Sequence, residues 1–304
     1  MKNVIVLSAF LLLFSFNNLI SKVEGNSKSI GLTTEKQDEL KLNENIVPDS
    51  GKVNHQSPRC WRWEHMNPSD LELAIKTNPV VYLSISPLEW HGEAMAFGSD
   101  PIQGTAIAEK AWRETGGVLI PTIYIGAETQ YRDWTKKGLT DYWGMEWITK
   151  EHNPGSLYTS PLTLELVMRE MLSFIEQDGF KVCVIVSGHE GVEHVKVLRD
   201  LEQRAKGHPM KIIYSQFADL KIPQELEFPG DAGHAGFGEA SVLGGIDSTL
   251  VDINKFGKIK RDRTAGLFDK DAVKIDFEKG KRVIDFRAKG LVEIVKSAMK
   301  QFKK

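Results

Sequence analysis

Val80-Val81-Tyr82-Leu83-Ser84-Ile85, followed by Pro87-Leu88-Glu89-Trp90-His91-Gly92, is the stretch whose reading decides the fold. The first six residues form a short, nearly continuous apolar run, the pattern of a strand buried on both faces of a parallel sheet. Glu89 and His91 stand two residues apart, and on an extended chain alternate residues point the same way. A carboxylate and an imidazole therefore leave the end of the strand side by side. Asp100 follows nine residues after His91, across a loop containing Gly92 and Gly98. Glu, His and Asp delivered from one loop make a donor set for a divalent metal such as zinc or manganese. Ser99-Asp100-Pro101 also carries helix-start chemistry, a capping side chain before proline at the first helical position. Asp100 therefore has a second reading as a cap.

Strands and helices alternate on both sides of this stretch. Pro68 to Lys76 reads as a helix, and so does Pro101 to Glu114, with Ile102, Ala106, Ile107 and Ala111 at helical spacing and Gly116-Gly117 as its stop. Val118 to Ile125 reads as a strand interrupted by Pro121. Thr163 to Glu176 is a strongly periodic helix ended by Gly179, and Lys181 to Val186 is a second doubly buried strand. A helix to Ala205, a strand from Met210 to Phe217, a short strand over Leu250–Ile253 and a closing helix from Val283 to Phe302 complete the pattern. Ala127 to Pro154 is irregular and rich in aromatics (Tyr131, Trp134, Tyr142, Trp143, Trp147), and reads either as a lid over a pocket or as a surface loop anchored by its rings. Alternating strands and helices predict an α/β fold, a three-layer αβα sandwich around a mostly parallel sheet.

Sites in open parallel sheets form at the carboxyl ends of strands. His91 follows one buried strand, and His189, in Ser187-Gly188-His189-Glu190-Gly191, follows another. His234 lies in a third, glycine-rich loop that runs into a helix at Glu239. Three loops that each pair histidine with a carboxylate predict one metal or acid–base site. His55, His65 and His208 sit in polar sequence and read as surface residues. His194 reads as a solvated helix residue, and His152 as a group within reach of a pocket.

Composition bounds the rest. In 304 residues, 41% are hydrophobic and 26% charged, which suits a soluble globular protein, and a net charge of −2 argues against nucleic acid or an anionic membrane as partner. A basic start and the apolar run Val4 to Phe16 read as a signal peptide ending near Gly25, which predicts a secreted or periplasmic location. Residues 26–56 read as a flexible polar spacer, and 57–304 as a single catalytic domain. Cys183 lies in an apolar strand as a core thiol, and Cys60 and Cys183 are expected to be unpaired.

These motifs resemble the creatininase (creatinine amidohydrolase) family of metal-dependent hydrolases. The family's first motif, Glu-x-His-Gly with Asp nine residues after the His, is similar to Glu89-Trp90-His91-Gly92 and Asp100. Its second, Asn-Gly-His-x-x-Asn at a strand end, resembles Ser187-Gly188-His189-Glu190-Gly191-Val192. Its third, His-Ala-Gly-x-x-Glu-Thr-Ser, resembles His234 to Ser241, and its Phe-Pro-Gly-Thr turn resembles Asn153-Pro154-Gly155-Ser156. The resemblance implies one or two divalent ions, zinc or manganese, with Asp100 bridging. Glu89 and His189 would hold one ion and His91 the other. Creatininase itself adds a Glu two residues after the second-motif His, a position occupied here by Gly191. Glu239 is the expected replacement, ahead of Glu190, and His234 is the expected proton shuttle. The implied reaction is hydrolysis of a cyclic amide or another C–N bond of a small molecule. Ser187, Val192, Ala240 and Ala94 depart from the family pattern and argue against creatinine as substrate. An oxidised cyclic polyol, sugar or lactone is the alternative substrate class, and a non-catalytic binding protein is the alternative role. Family members also lead one to expect a homo-oligomer.

Overall fold

The computed structural model describes residues 60–133, 140–146, 152–216, 219–231, 233–256 and 272–302. All belong to the compact unit Asn54–Lys304. The expected leader and spacer lie outside the described residues, as do His55, Trp134, Trp147 and the basic run from Lys258 to Arg263.

In chain order the elements are β1 (Cys60–Arg62), α1 (Pro68–Thr77), β2 (Val80–Ser84), α2 (Ser99–Thr115), β3 (Gly117–Leu119), β4 (Gln130–Asp133) and β5 (Thr140–Trp143). Then come α3 (Pro161–Asp178), β6 (Val182–Val186), α4 (Val192–Arg204), β7 (Lys211–Ser215), α5 (Phe237–Ile246), the short α6 (Ile253–Phe256) and α7 (Phe277–Lys300). The main sheet runs β1-β3-β2-β6-β7, and each neighbouring pair is parallel.

The two-residue alternation of strands divides the core into two layers. Val80 and Tyr82 of β2 and Val182, Val184 and Val186 of β6 face α2 and α7. Val81 and Leu83, with Cys183 and Ile185, face α1, α3 and α4 on the opposite side. Apolar residues on both faces require cover on both faces, so the expected three-layer αβα architecture follows. Leu291 of α7 is wholly buried in the first of these layers. Leu291→Ala should lower stability by about 2–5 kcal/mol, read as a lower denaturant midpoint with an unchanged slope.

Caps set several helix starts. Asn67 accepts from the Asp70 N–H at 3.1 Å and Asp70 accepts from the Asn67 N–H at 3.2 Å, a reciprocal capping box that starts α1. Ser160 accepts from the Thr163 N–H to start α3. Asp276 accepts from the Lys279 N–H, so α7 begins at Phe277, earlier than the Val283 start expected from periodicity.

Other boundaries also differ from the sequence reading. The strand expected over 118–125 keeps its ladder only through Leu119; beyond Pro121, which has no N–H to donate, a single bridge joins Ile85 and Ile123. The strand expected over Leu250–Ile253 is a 3₁₀ turn, a single bridge from Val251 to Met95, and then α6. There the Asp247 carboxylate takes the Thr249 N–H and hydroxyl, and such local bonds compete with a ladder. The aromatic segment expected to be irregular contains the antiparallel hairpin β4–β5, with Gln130 opposite Trp143 and Asp133 opposite Thr140. Among the described residues, no helix is long and apolar enough to cross a membrane.

Candidate metal centre

From β2 the chain crosses to β3 on one side, and β6 then pairs with β2 on the other. The order reverses at β2, and crevices for ligands open at the carboxyl ends of strands beside such a reversal. The loop after β2 carries Glu89 and His91, and the loop after β6 carries His189. Asp100 is the second residue of α2, which starts at Ser99 behind Gly98 with no side-chain cap. Asp100 is thus no cap: its carboxylate points into the crevice between the two imidazoles.

His91 is 1% exposed, and its Nδ1–H donates to the Glu89 carbonyl at 2.9 Å. That bond leaves Nε2 facing the site, 2.8 Å from Glu239 Oε1 and 3.5 Å from Asp100 Oδ1. Burial opposes a charge on His91, but the carboxylates of Glu239 and Asp100 outweigh it and raise the His91 pKa well above the histidine range. Glu239 sits in the first turn of α5. It accepts from the Ala235 N–H at 2.7 Å and the Ser99 hydroxyl at 3.0 Å. Burial would raise the Glu239 pKa; the His91 charge overrides burial and brings it down to about 2.

A second group lies on the other side of Asp100. His189 Nδ1 is 3.0 Å from Glu89 Oε2 and 3.1 Å from Asp100 Oδ2. The two oxygens of Asp100 therefore face two different imidazoles. Burial alone would raise the Asp100 and Glu89 pKa values, but the neighbouring histidines hold both below the usual carboxylate range. His234, on the glycine-rich loop before α5, stacks against His91 with ring centres 4.5 Å apart. Its Nε2–H donates to the Trp90 carbonyl at 2.9 Å, which leaves Nδ1 toward Glu89 Oε1 at 3.9 Å. All six residues expected at the site, Glu89, His91, Asp100, His189, His234 and Glu239, come together. Glu190 lines the same cavity without joining these two groups.

Three participants escaped the sequence reading. Tyr158 donates its hydroxyl to Glu89 Oε1 at 3.0 Å, and burial beside that carboxylate pushes the phenol well above its ordinary pKa. Glu128, in the loop before β4, places Oε2 at 3.1 Å from His189 Nε2, at an angle that makes an ion-pair contact but no hydrogen bond. Neither residue had a spacing signal, because each reaches the site across more than sixty positions from its partner.

His194 is the third, and here the expectation of a solvated helix residue is wrong. It is fully buried. Its Nδ1 accepts from the Ala127 N–H at 3.3 Å, so Nε2–H donates to the Ser187 hydroxyl at 3.0 Å. Ser187 in turn accepts from the His189 N–H at 3.1 Å. Burial, aided by the His189 charge, lowers the His194 pKa well below the histidine range, so this ring stays neutral. It pins the loop bearing Glu128 to the loop bearing His189. His194→Phe leaves the buried Ala127 N–H and the Ser187 hydroxyl without this partner and should cost about 1–3 kcal/mol, measured by denaturant unfolding. His152 also departs from expectation: it is largely exposed and pairs with Glu146 at 2.7 Å, away from the cavity. His65 and His208 are exposed as expected, and neither Cys60 nor Cys183 forms a disulfide among the described residues, with Cys183 in the core.

The two groups open into a cavity of roughly 650 Å3, whose far wall includes Ile222, Phe228, Val242, Val283 and Arg287. That volume suits a small molecule. Burial of the Arg287 guanidinium, partly offset by Glu190, lowers its pKa to about 10, so it remains charged at neutral pH.

The creatininase family model, described as creatinine amidohydrolase, matches residues 64–295. A crystal structure of creatinine amidohydrolase (creatininase) superposes with a TM-score of 0.59 at 19% identity, covering 77% of this chain and 96% of that one. A manganese creatininase gives 0.60 at 18% identity, covering 79% of this chain and 98% of its own. A creatininase variant of the zinc–zinc type gives 0.59 at 19%, covering 78% and 97%. No curated protein matches the chain. The family match extends from before α1 almost to the end of α7, across every loop that builds the site: the chain belongs to the creatininase (creatinine amidohydrolase) family.

Proposed function

We propose that this protein is a metal-dependent hydrolase that holds one or two divalent cations, zinc or manganese, and cleaves a cyclic amide or another C–N bond of a small molecule. The observation that carries the reading is the placement of Asp100, with one carboxylate oxygen toward His91 and the other toward His189. The donor chemistry fits a cation. Among the described residues, Glu89 with Glu128 and His189, His91 with Asp100 and Glu239, and Glu89 with His91 and His234 form three sets whose donor atoms lie within 4.8 Å of one another. Carboxylate oxygen and imidazole nitrogen suit zinc and manganese, and buried carboxylates at this density need a compensating positive charge. Solved creatininases of zinc–zinc and manganese types, and one complexed with creatine, add support.

A bound divalent cation supplies an acidified water and polarises a carbonyl. The chain's own residues do the rest. Asp100, Glu89 and His189 form one half of the cradle, and Asp100, His91 and Glu239 the other. The Glu89 carbonyl holds the His91 proton on Nδ1, which keeps Nε2 available. Tyr158 restrains Glu89 through its hydroxyl. His234, tethered to the Trp90 carbonyl, lies at the cavity wall in a position to pass a proton to the leaving nitrogen or oxygen, with Glu239 beside His91 as the second acid–base group. The leader expected over residues 1–25 supports export, and N-terminal mapping of exported chain should place the first residue near position 26.

The deciding experiment is turnover by zinc- or manganese-loaded protein over cyclic amides including creatinine, formamides, lactones and oxidised inositols. Hydrolysis of a C–N substrate, abolished by chelator and restored by metal, is the expected result. Activity confined to lactones or oxidised polyols would move the substrate class. Metal-loaded protein inert on the whole panel would favour the non-catalytic role.

A further inference from the structure

Glycines on two sides of Glu128 shape a slot around its side chain. At Gly144, the residue after β5, with φ of +51°, an added Cβ would come within 2.5 Å of Glu128 Cγ. At Gly191, the residue before α4, an added Cβ would collide with both Glu128 Oε2 and His189 Nε2. A side chain at position 191 and the Glu128 carboxylate therefore compete for one space, and here the carboxylate has it. The loop is held from behind by the Ala127 N–H on His194, and the Glu128 Oε1 atom accepts from the Thr129 N–H at 2.7 Å. Glu128 is 8% exposed and His189 3%. Hairpin, loop and helix start thus converge to hold one buried carboxylate against the outer nitrogen of one imidazole.

We propose that Glu128 is the positioning residue of the metal centre: its carboxylate, in ion-pair contact with His189 Nε2 at 3.1 Å, favours the proton on that nitrogen and so presents Nδ1 to the cation shared with Glu89 and Asp100. The proposal rests on the metal reading of this site. His91 has a backbone carbonyl to anchor its outer nitrogen. His189 has no such carbonyl partner, and Glu128 is the group facing its outer nitrogen. A carboxylate behind a ligating histidine orients the ring and raises its basicity. Gly191 and Gly144 are the positions that admit it.

The test is Mn2+ titration of metal-depleted full-length protein, followed by electron paramagnetic resonance of free manganese, for wild type and Glu128→Gln. Glutamine keeps the shape and removes the charge. Loss of such a group weakens metal affinity by roughly 10- to 100-fold, and that is the expected result for Glu128→Gln, with near-ultraviolet circular dichroism unchanged. Nitrogen-15 spectra of the zinc-loaded wild type supply a readout that a purely structural role would not move: His189 should show a metal-shifted Nδ1 and a protonated Nε2. Manganese affinity of Glu128→Gln within a factor of about two of wild type, or a metal-shifted Nε2, overturns the proposal while leaving the metal reading intact. Wild-type protein that binds neither manganese nor zinc overturns both.

Discussion

Asp100→Asn should cost the protein its metal centre. Asparagine matches aspartate in shape but carries no charge, and it presents one oxygen where aspartate presents two. In the native chain those two oxygens lie 3.5 Å from His91 Nε2 and 3.1 Å from His189 Nδ1. Removing the shared charge weakens both halves of the cradle at once. Zinc or manganese content of purified Asp100→Asn, measured by mass spectrometry, should fall well below that of wild type. Metal catalysis supplies several kcal/mol of transition-state stabilisation, so turnover should fall by roughly a thousandfold or more. The fold should persist, because Asp100 touches the site and not the two apolar layers of the sheet. Full metal content with Asp100→Asn would remove the basis for the shared-ligand geometry.

Thermal stability should rise steeply on metal addition. Glu89, Asp100, Glu128 and Glu239 are crowded against His91 and His189 in a region almost free of solvent. In a metal-free molecule the two imidazoles must carry protons to balance that charge, and burial works against them. A cation that binds only the folded state stabilises it by about 4 kcal/mol at a thousand times its Kd. For a domain of this size each kcal/mol is worth about 2–4 °C, so Tm should climb by roughly 8–16 °C with saturating zinc or manganese and fall back with chelator. Asp100→Asn should show little of this shift, which separates site binding from adventitious binding. An unchanged wild-type Tm across the titration would count against the cation site altogether.

The expected site was legible because its signals are local. Glu89, His91, His189, His234 and Glu239 each stand where an apolar strand or a glycine-rich loop ends, and strand ends of a parallel sheet converge by construction. The boundary errors have local causes as well: Asp276 starts α7 earlier than apolar periodicity implied, and Asp247 draws the chain after α5 into a turn. His194 was misread for a different reason. Its spacing to Val197, Leu198 and Leu201 puts it on the buried face of α4, a signal the reading passed over, and the Ala127 and Ser187 loops close over its end of that face.

From the chain alone came the αβα sandwich, its main helices and buried strands, and the six residues expected at the site, since continuous apolar runs, glycine stops and strand-end histidines are written within a few residues of one another. The tertiary structure alone decided which nitrogen of each imidazole faces inward, that Asp100 divides its oxygens between two histidines rather than capping α2, and that Tyr158 and Glu128 join from two other loops. Apart from the His91 ring, held by the Glu89 carbonyl two residues away, and its nine-residue approach to Asp100, those outcomes depend on groups separated by about 60 to 150 positions, whose orientation is set by the packing of the layers.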